Sequence, residues 1–264
     1  MGLRSVFRAA GVCGEFSTMR IALFSDVHAN LPALEACLSA AGRLGADSLA
    51  FLGDFVGYGP DPEAVVTRVR PLVEAGAIAV LGNHDLAVLK PSKDMNSTAA
   101  EALAWTRTQL SQASMSFLAG LPFEARSGDL LFVHAEASDP TAWYYVTDVE
   151  AARASVVNCT ATVTFCGHVH VPAIYCLSAT GKMISHVPVQ DVAIPLMAQR
   201  KWLAVLGSTG QPRDGNPAAS FAMYDTAART LTYHRAPYDV ESVSQHIRAA
   251  GLPDSLAERL LRGR

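Results

Sequence analysis

Arg20-Ile21-Ala22-Leu23-Phe24-Ser25-Asp26-Val27-His28 is a short apolar run that stops on two side chains able to bind a metal. A run of this length, apolar throughout rather than alternating, reads as a strand buried on both faces. The same pattern recurs along the chain. Ser48–Leu52 ends in Gly53-Asp54, and Ile78–Leu81 ends in Gly82-Asn83-His84-Asp85. Leu130–His134 ends on its histidine, and Thr162–Cys166 runs into Gly167-His168-Val169-His170. Five of the eight histidines fall inside these motifs.

Helical patterns separate the first three runs. Leu31, Leu34, Leu38 and Ala41 share one face of Leu31–Leu44, with Asn30 as its N-cap. Pro62–Glu74 opens on a first-position proline, with Asp61 as the cap. This βαβαβ alternation predicts parallel strands with right-handed crossovers. Further on, Ser97–Ser111 and Asp148–Val156 read as helices, and Ser127-Gly128-Asp129 and Ser178-Ala179-Thr180-Gly181 as hairpin turns. Strands follow at Trp202–Leu206, Phe221–Tyr224 and Thr230–His234, and helices at Val240–Ala250 and Ser255–Leu261. Parallel α/β first and largely antiparallel β afterwards predicts an α/β fold: two facing mixed β-sheets flanked by helices, an α/β/β/α sandwich.

The chain has 264 residues, of which 50% are hydrophobic and 17% charged, so a substantial core is available. The net charge is −3 with no basic stripe, which argues against a bulk nucleic-acid partner while leaving a nucleotide substrate open. No apolar run is long enough to cross a bilayer. Cys13, Cys37, Cys159, Cys166 and Cys176 form no Cys-x-x-Cys pair. Cys37, Cys166 and Cys176 lie in apolar patterns and read as small buried hydrophobes in a reducing compartment. Residues 1–18 carry Arg4 and Arg8 but no long apolar stretch, and read as a disordered extension or a misassigned start. Residues 19–264 are then one domain, cytoplasmic by default.

In open α/β sheets ligands bind beyond the carboxyl ends of strands. Asp26, Asp54, Asn83, His134 and His168 each occupy that position. Singly they are ordinary: an Asp at a strand end is usually a turn or a helix cap. Five together form a rim of carboxylate, amide and imidazole that can hold two divalent ions. That donor set suits Mn²⁺, Fe, Co²⁺, Ni²⁺ or Zn²⁺ better than Ca²⁺.

Asp-x-His, Gly-Asp, Gly-Asn-His-Asp, His and Gly-His-x-His occur in this order from Asp26 to His170. In this the chain resembles the calcineurin-like metallophosphoesterases. The resemblance implies that Asp26, His28 and His170 bind one metal, that Asn83, His134 and His168 bind the other, and that Asp54 bridges them. It implies Mn²⁺ first among the candidate ions. His84 matches the histidine that contacts the phosphate and protonates the leaving group, Asp85 its orienting carboxylate, and Asn83 also faces the substrate. A bridging hydroxide between two ions would attack phosphorus in a small phosphomonoester or phosphodiester. A protein phosphatase and a dinucleoside polyphosphate hydrolase are the alternatives within the superfamily, and a non-catalytic protein-binding scaffold is the alternative outside it. Val133 and Ala135 flank His134 where many members have glycine.

Outside the motifs, Gly207–Gly215 is a polar loop whose Arg213 either contacts a phosphate or pairs with Asp214 or solvent. Asp85 is either the orienting group or a turn former. Tyr58 is placed to line the site, and Trp105 reads as core. Trp143-Tyr144-Tyr145 either stacks an aromatic group of the substrate or packs a loop. His186, His234 and His246 read as structural or solvent-facing.

Overall fold

The computed structural model describes residues 18–90 and 95–264, so the expected extension at 1–18 lies outside the described residues but for Thr18. The chain forms β1 (Arg20–Phe24), α1 (Leu31–Arg43), β2 (Ser48–Phe51), α2 (Pro62–Glu74), β3 (Ile78–Ala79), α3 (Asn83–Leu89), α4 (Ser97–Gln109) and α5 (Gln112–Ala119). It continues through β4 (Glu124–Ser127), β5 (Leu130–Val133), α6 (Val149–Val156), β6 (Val163–Cys166), β7 (Ala173–Leu177) and β8 (Met183–His186). Last come β9 (Ile194–Pro195), β10 (Lys201–Val205), β11 (Ala219–Asp225), β12 (Thr230–Ala236), α7 (Val240–Ala249) and α8 (Asp254–Arg262).

One sheet has the order β3-β2-β1-β11-β12-β9 and the other β4-β5-β6-β10-β7-β8. Each contains three adjacent parallel strands: β1, β2 and β3 in the first, β5, β6 and β10 in the second. All the metal-type motifs follow strands of these two trios, so two sets of carboxyl ends form one rim. The remaining strands are antiparallel, with Ile21 opposite Tyr224 where β1 meets β11.

Period-two alternation assigns each strand residue to a layer. Ile21, Leu23, Leu52, Phe132, Phe165 and Tyr224 fill the space between the sheets. Phe132 stacks on Phe165 at 5.5 Å, and Phe165 meets Tyr224 edge-on at 5.3 Å. Ala22, Phe24 and Phe51 point the other way and pack with Leu34 and Cys37 of α1 and Val65 and Val66 of α2. On the far side, Leu131, Val133, Cys166 and Val205 pack with Ala152 and Val156 of α6. Burial on both faces explains why these strands read as continuous apolar runs.

The architecture is the expected one, with local differences. The antiparallel strands form no sheet of their own: β11 and β12 complete the first sheet, and the second has a parallel centre. Pairings such as Ile21 with Tyr224 leave no mark in a local pattern. The helix from Ser97 ends at Gln109, and Ser111 caps a separate helix by accepting from the Ser114 amide. Asn30 caps α1 by accepting from the Ala33 amide at 3.1 Å. Asp61 stands at the start of α2 without a capping bond, and its carboxylate lies 3.4 Å from His246 Nδ1 instead.

Candidate metal centre

The chain turns back on itself at the rim. Asp26, His28, Asp54, His168 and His170 all have positive φ, between 47° and 65°. Non-glycine residues rarely adopt this left-handed conformation, which costs about 1–3 kcal/mol each when held against a side chain. Neighbouring motifs hold it in place. The Asp26 amide donates to Gly53 O, that of His28 to Asp54 O, and that of Gly167 to His134 O. The His168 amide donates to the Asp26 carboxylate at 3.0 Å, and that of His84 to Asp54 Oδ1 at 2.8 Å. The motif glycine Gly167 is required by proximity, since a Cβ there would run into Ser25 and the Asp26 carboxylate.

Three imidazoles are held by backbone carbonyls. His134 Nδ1 lies 2.6 Å from Leu52 O, His170 Nδ1 2.7 Å from Gln211 O, and His28 Nδ1 3.2 Å from Val56 O. A carbonyl only accepts, so Nδ1 carries the proton and Nε2 presents a lone pair. Those lone pairs converge. His28 Nε2 is 3.0 Å from His170 Nε2, which is 3.2 Å from Asp26 Oδ1. His134 Nε2 is 3.0 Å from Asn83 Oδ1, 3.2 Å from His168 Nδ1 and 3.4 Å from Asp54 Oδ2. Asp54 Oδ2 is also 3.6 Å from His28 Nε2, so it stands between the two groups.

Acceptors facing acceptors at such distances repel unless a cation or a proton lies among them. The spacing fits a cation, because ligands about 2.1 Å from one ion are separated by about 3.0–3.4 Å in octahedral or tetrahedral geometry. Two buried clusters gather such donors, Asp26, His28 and His170 in one and Asp54, His134 and His168 in the other, each with its ligand atoms within 4.8 Å of one another and with Asp26 and His28 the wider pair at 3.9 Å. Asn83 joins the second through its amide oxygen.

The electrostatics agree. Burial pushes the Asp26 and Asp54 carboxyls up, but His170 beside Asp26 and His134 beside Asp54 reverse this and hold both well below the usual carboxylate range. Burial drives His28 well below the ordinary histidine value and His168 to about 3, which keeps both neutral. Burial opposes a proton on His134 as well, yet the Asp54 carboxylate pushes that imidazole up to about 9. A proton there stands where a cation's charge would otherwise lie, and ligation would release it.

The structure brings all seven expected ligands and His84 together. Asp85 does not do what the resemblance implied. Its buried carboxylate accepts from the amides of Phe55 at 2.9 Å, Val56 at 3.2 Å and Gly82 at 3.0 Å, and none of its bonds reaches His84. It ties the start of α3 to the loop after Asp54, and the orienting contact with His84 that the resemblance implied is not among its bonds. Arg213 does not pair with Asp214, whose carboxylate binds Arg235. Arg213 instead donates to Gln211 Oε1 and lies 5.7 Å over the Tyr58 ring, at the edge of the site. Tyr58 is 4.6 Å from the His28 ring and 4.5 Å from that of His84.

Tyr145 stacks on His168 at 4.1 Å and Trp143 meets His134 edge-on at 5.8 Å, so the aromatic cluster lies against the second group of ligands. Trp105 packs beside α7 and α8 as expected. His234 pairs with Asp191 at 2.6 Å, and His246 with Asp61. Gln211, which carried no separate sequence signal within its polar loop, fixes both His170 and Arg213.

Residues 19–229 match the Calcineurin-like phosphoesterase superfamily domain. An uncharacterised protein of Methanocaldococcus jannaschii is 34% identical over 250 residues, which is 92% of this chain and 98% of that protein. The crystal structure of a metallophosphoesterase from Sphaerobacter thermophilus is 38% identical, covers 94% of this chain and 100% of its own, and superposes with a TM-score of 0.83. A hypothetical protein from Pyrococcus horikoshii shares the fold at a TM-score of 0.76 and 17% identity, over 93% of this chain and 98% of that one. The rim of facing metal-type ligands thus stands in a fold shared with metallophosphoesterases, and the chain belongs to the calcineurin-like phosphoesterase superfamily.

Proposed function

We propose that this protein is a dinuclear metal-dependent phosphoesterase acting on a small phosphomonoester or phosphodiester. The observation that carries this is the convergence of buried lone pairs on two points with Asp54 between them. Asp26, His28 and His170 would hold one ion, Asn83, His134 and His168 the other, and Asp54 both. Mn²⁺ is the first candidate on the family resemblance, and Fe, Zn²⁺, Ni²⁺ and Co²⁺ are alternatives that the same donor set suits. Bound there, two divalent ions supply a water nucleophile at neutral pH and neutralise the phosphoryl oxygens.

The chain's own groups serve the rest of the reaction. His84 is buried with its Nδ1 turned toward Gly57, which leaves Nε2 to protonate the leaving oxygen. Burial holds this imidazole down at about 4, and an arriving phosphoryl anion raises its proton affinity. Arg213, steadied by its hydrogen bond to Gln211 Oε1, binds a non-bridging phosphoryl oxygen. Asn83 contacts the substrate from the same rim. Residues 19–264 work as one domain, since β11 and β12 complete the sheet that β1 begins. No helix among the described residues is long and apolar enough to cross a membrane, and a cytoplasmic location accords with the unpaired thiols at Cys37, Cys166 and Cys176.

Elemental analysis of purified protein, together with turnover of an aryl phosphate and its diester in added Mn²⁺, tests the assignment. Asp54→Asn or His168→Ala should lose metal and activity together, whereas His84→Ala should keep metal and lose turnover of alkyl esters. Protein that takes up no metal and turns over neither ester would favour a scaffold role.

A further inference from the structure

His84 differs from three of the metal-facing histidines in how its ring is held. Those of His28, His134 and His170 each donate Nδ1–H to a backbone carbonyl. The Nδ1 of His84 is buried without a hydrogen-bond partner and faces Gly57, where a Cβ would come within 2.5 Å. The nearby carboxylate, Asp85, is occupied by three backbone amides. Among the described residues, packing therefore sets the imidazole plane. The ring of Tyr58 lies 4.5 Å away at 56°, and that of His28 4.9 Å away at 80°. Tyr58 is 6% exposed and holds a left-handed φ of 64°, a conformation costly for an aromatic residue.

We propose that Tyr58 is the positioning residue of His84, its aromatic ring doing what a carboxylate does for many acid histidines. The inference rests on the acid role given to His84 above. A ring held only by contacts loses its aim when the contact is removed, and small misplacements of a reacting group are costly in rate. Tyr58→Leu should therefore impair the proton transfer specifically, while Tyr58→Phe keeps the ring and the rate.

The test is a double-mutant cycle on metal-loaded enzyme, with an alkyl and a nitrophenyl phosphate and metal content measured throughout. General-acid catalysis is worth about 10²–10⁴-fold, so Tyr58→Leu should lower kcat for the alkyl ester about tenfold or more. It should change kcat for the nitrophenyl ester and bound metal by less than about twofold, and Tyr58→Phe, which keeps the ring, should hold the ratio of alkyl to nitrophenyl kcat near wild type. In a His84→Ala background Tyr58→Leu should add no further loss. Equal losses on both esters, loss of metal, a Tyr58→Phe defect as deep as that of Tyr58→Leu, or additivity with His84→Ala would each overturn the positioning role and leave the acid role of His84 intact. If His84→Ala itself hydrolysed the alkyl ester at the wild-type rate, the acid role would fall, and this inference with it.

Discussion

Replacing Asp85 separates a framework role from an orienting one. The carboxylate is fully buried, and its two oxygens accept three amide protons from Phe55, Val56 and Gly82. Asp85→Ala leaves all three donors buried without partners, at about 1–3 kcal/mol each, so the loss should be at least about 3 kcal/mol. Asp85→Asn keeps one acceptor oxygen. With that oxygen serving Phe55 and Val56, only the Gly82 amide loses its partner, and the cost should be about 1–3 kcal/mol. With a slope of about 3 kcal/mol per molar urea, the alanine variant should unfold at a midpoint about 1 M lower or more, and the asparagine variant should fall between it and wild type. Asp54 immediately precedes Phe55, so metal affinity should fall in the same order as stability. An alanine variant within about 0.5 kcal/mol of wild type would refute the framework role. So would an asparagine variant that is stable and metal-replete yet loses turnover only with poor leaving groups, because that is the signature of an orienting carboxylate.

Three further outcomes are expected. Stripping metal with a chelator should lower the melting temperature and restoring Mn²⁺ should recover it, since ion at a hundredfold excess over its Kd stabilises by about 2.7 kcal/mol; an unchanged melting temperature would count against ligation. Phe165→Ala empties the space between Phe132 and Tyr224 and should cost about 3–5 kcal/mol by chemical denaturation, while a loss under 1 kcal/mol would mean the sheets collapse onto the cavity. Burial raises the Cys37 and Cys166 thiols above their ordinary range, so both should resist alkylation in the folded protein and react only in denaturant; prompt labelling of either would show that its layer opens locally.

The parallel strands of both sheets were legible because burial on two faces makes a strand apolar throughout, and the candidate ligands because their motifs directly follow such runs. What was not legible arises from contacts distant in sequence or from elements too short to show a period. Helix α3 spans seven residues and begins inside the Gly82-Asn83-His84-Asp85 motif, so its first turn looks like a loop. Strand β9 is two residues long and contains Pro195. The partners of Asp85 at Phe55 and Val56 lie 30 and 29 residues away, where no spacing rule reaches. The loop after Leu206 was marked by its polarity, but nothing in it announced that Gln211 O would hold His170, or that Gln211 Oε1 would hold Arg213.

The left-handed backbone at five of the seven expected ligands is the least visible feature of all, since Asp and His tolerate that region better than most residues but adopt it in only a small minority of cases. Its physical sense lies in the rim. A strand delivers its last side chain above or below its sheet, whereas an ion between two sheets needs donors from both to converge beyond the strand ends. A positive φ at the terminal residue bends the chain sharply enough to bring donors such as Asp26 and His28, two residues apart, to one point. The bonds from Asp26 N to Gly53 O and from His168 N to the Asp26 carboxylate lock that bend across strands and across sheets. Conformational cost is thus concentrated where lone pairs also repel, and both are offset together when a cation enters. On the proposed dinuclear reading, metal binding would complete the ordering of the rim, and a variant that loses the ions should loosen these loops before it loosens the strands beneath them.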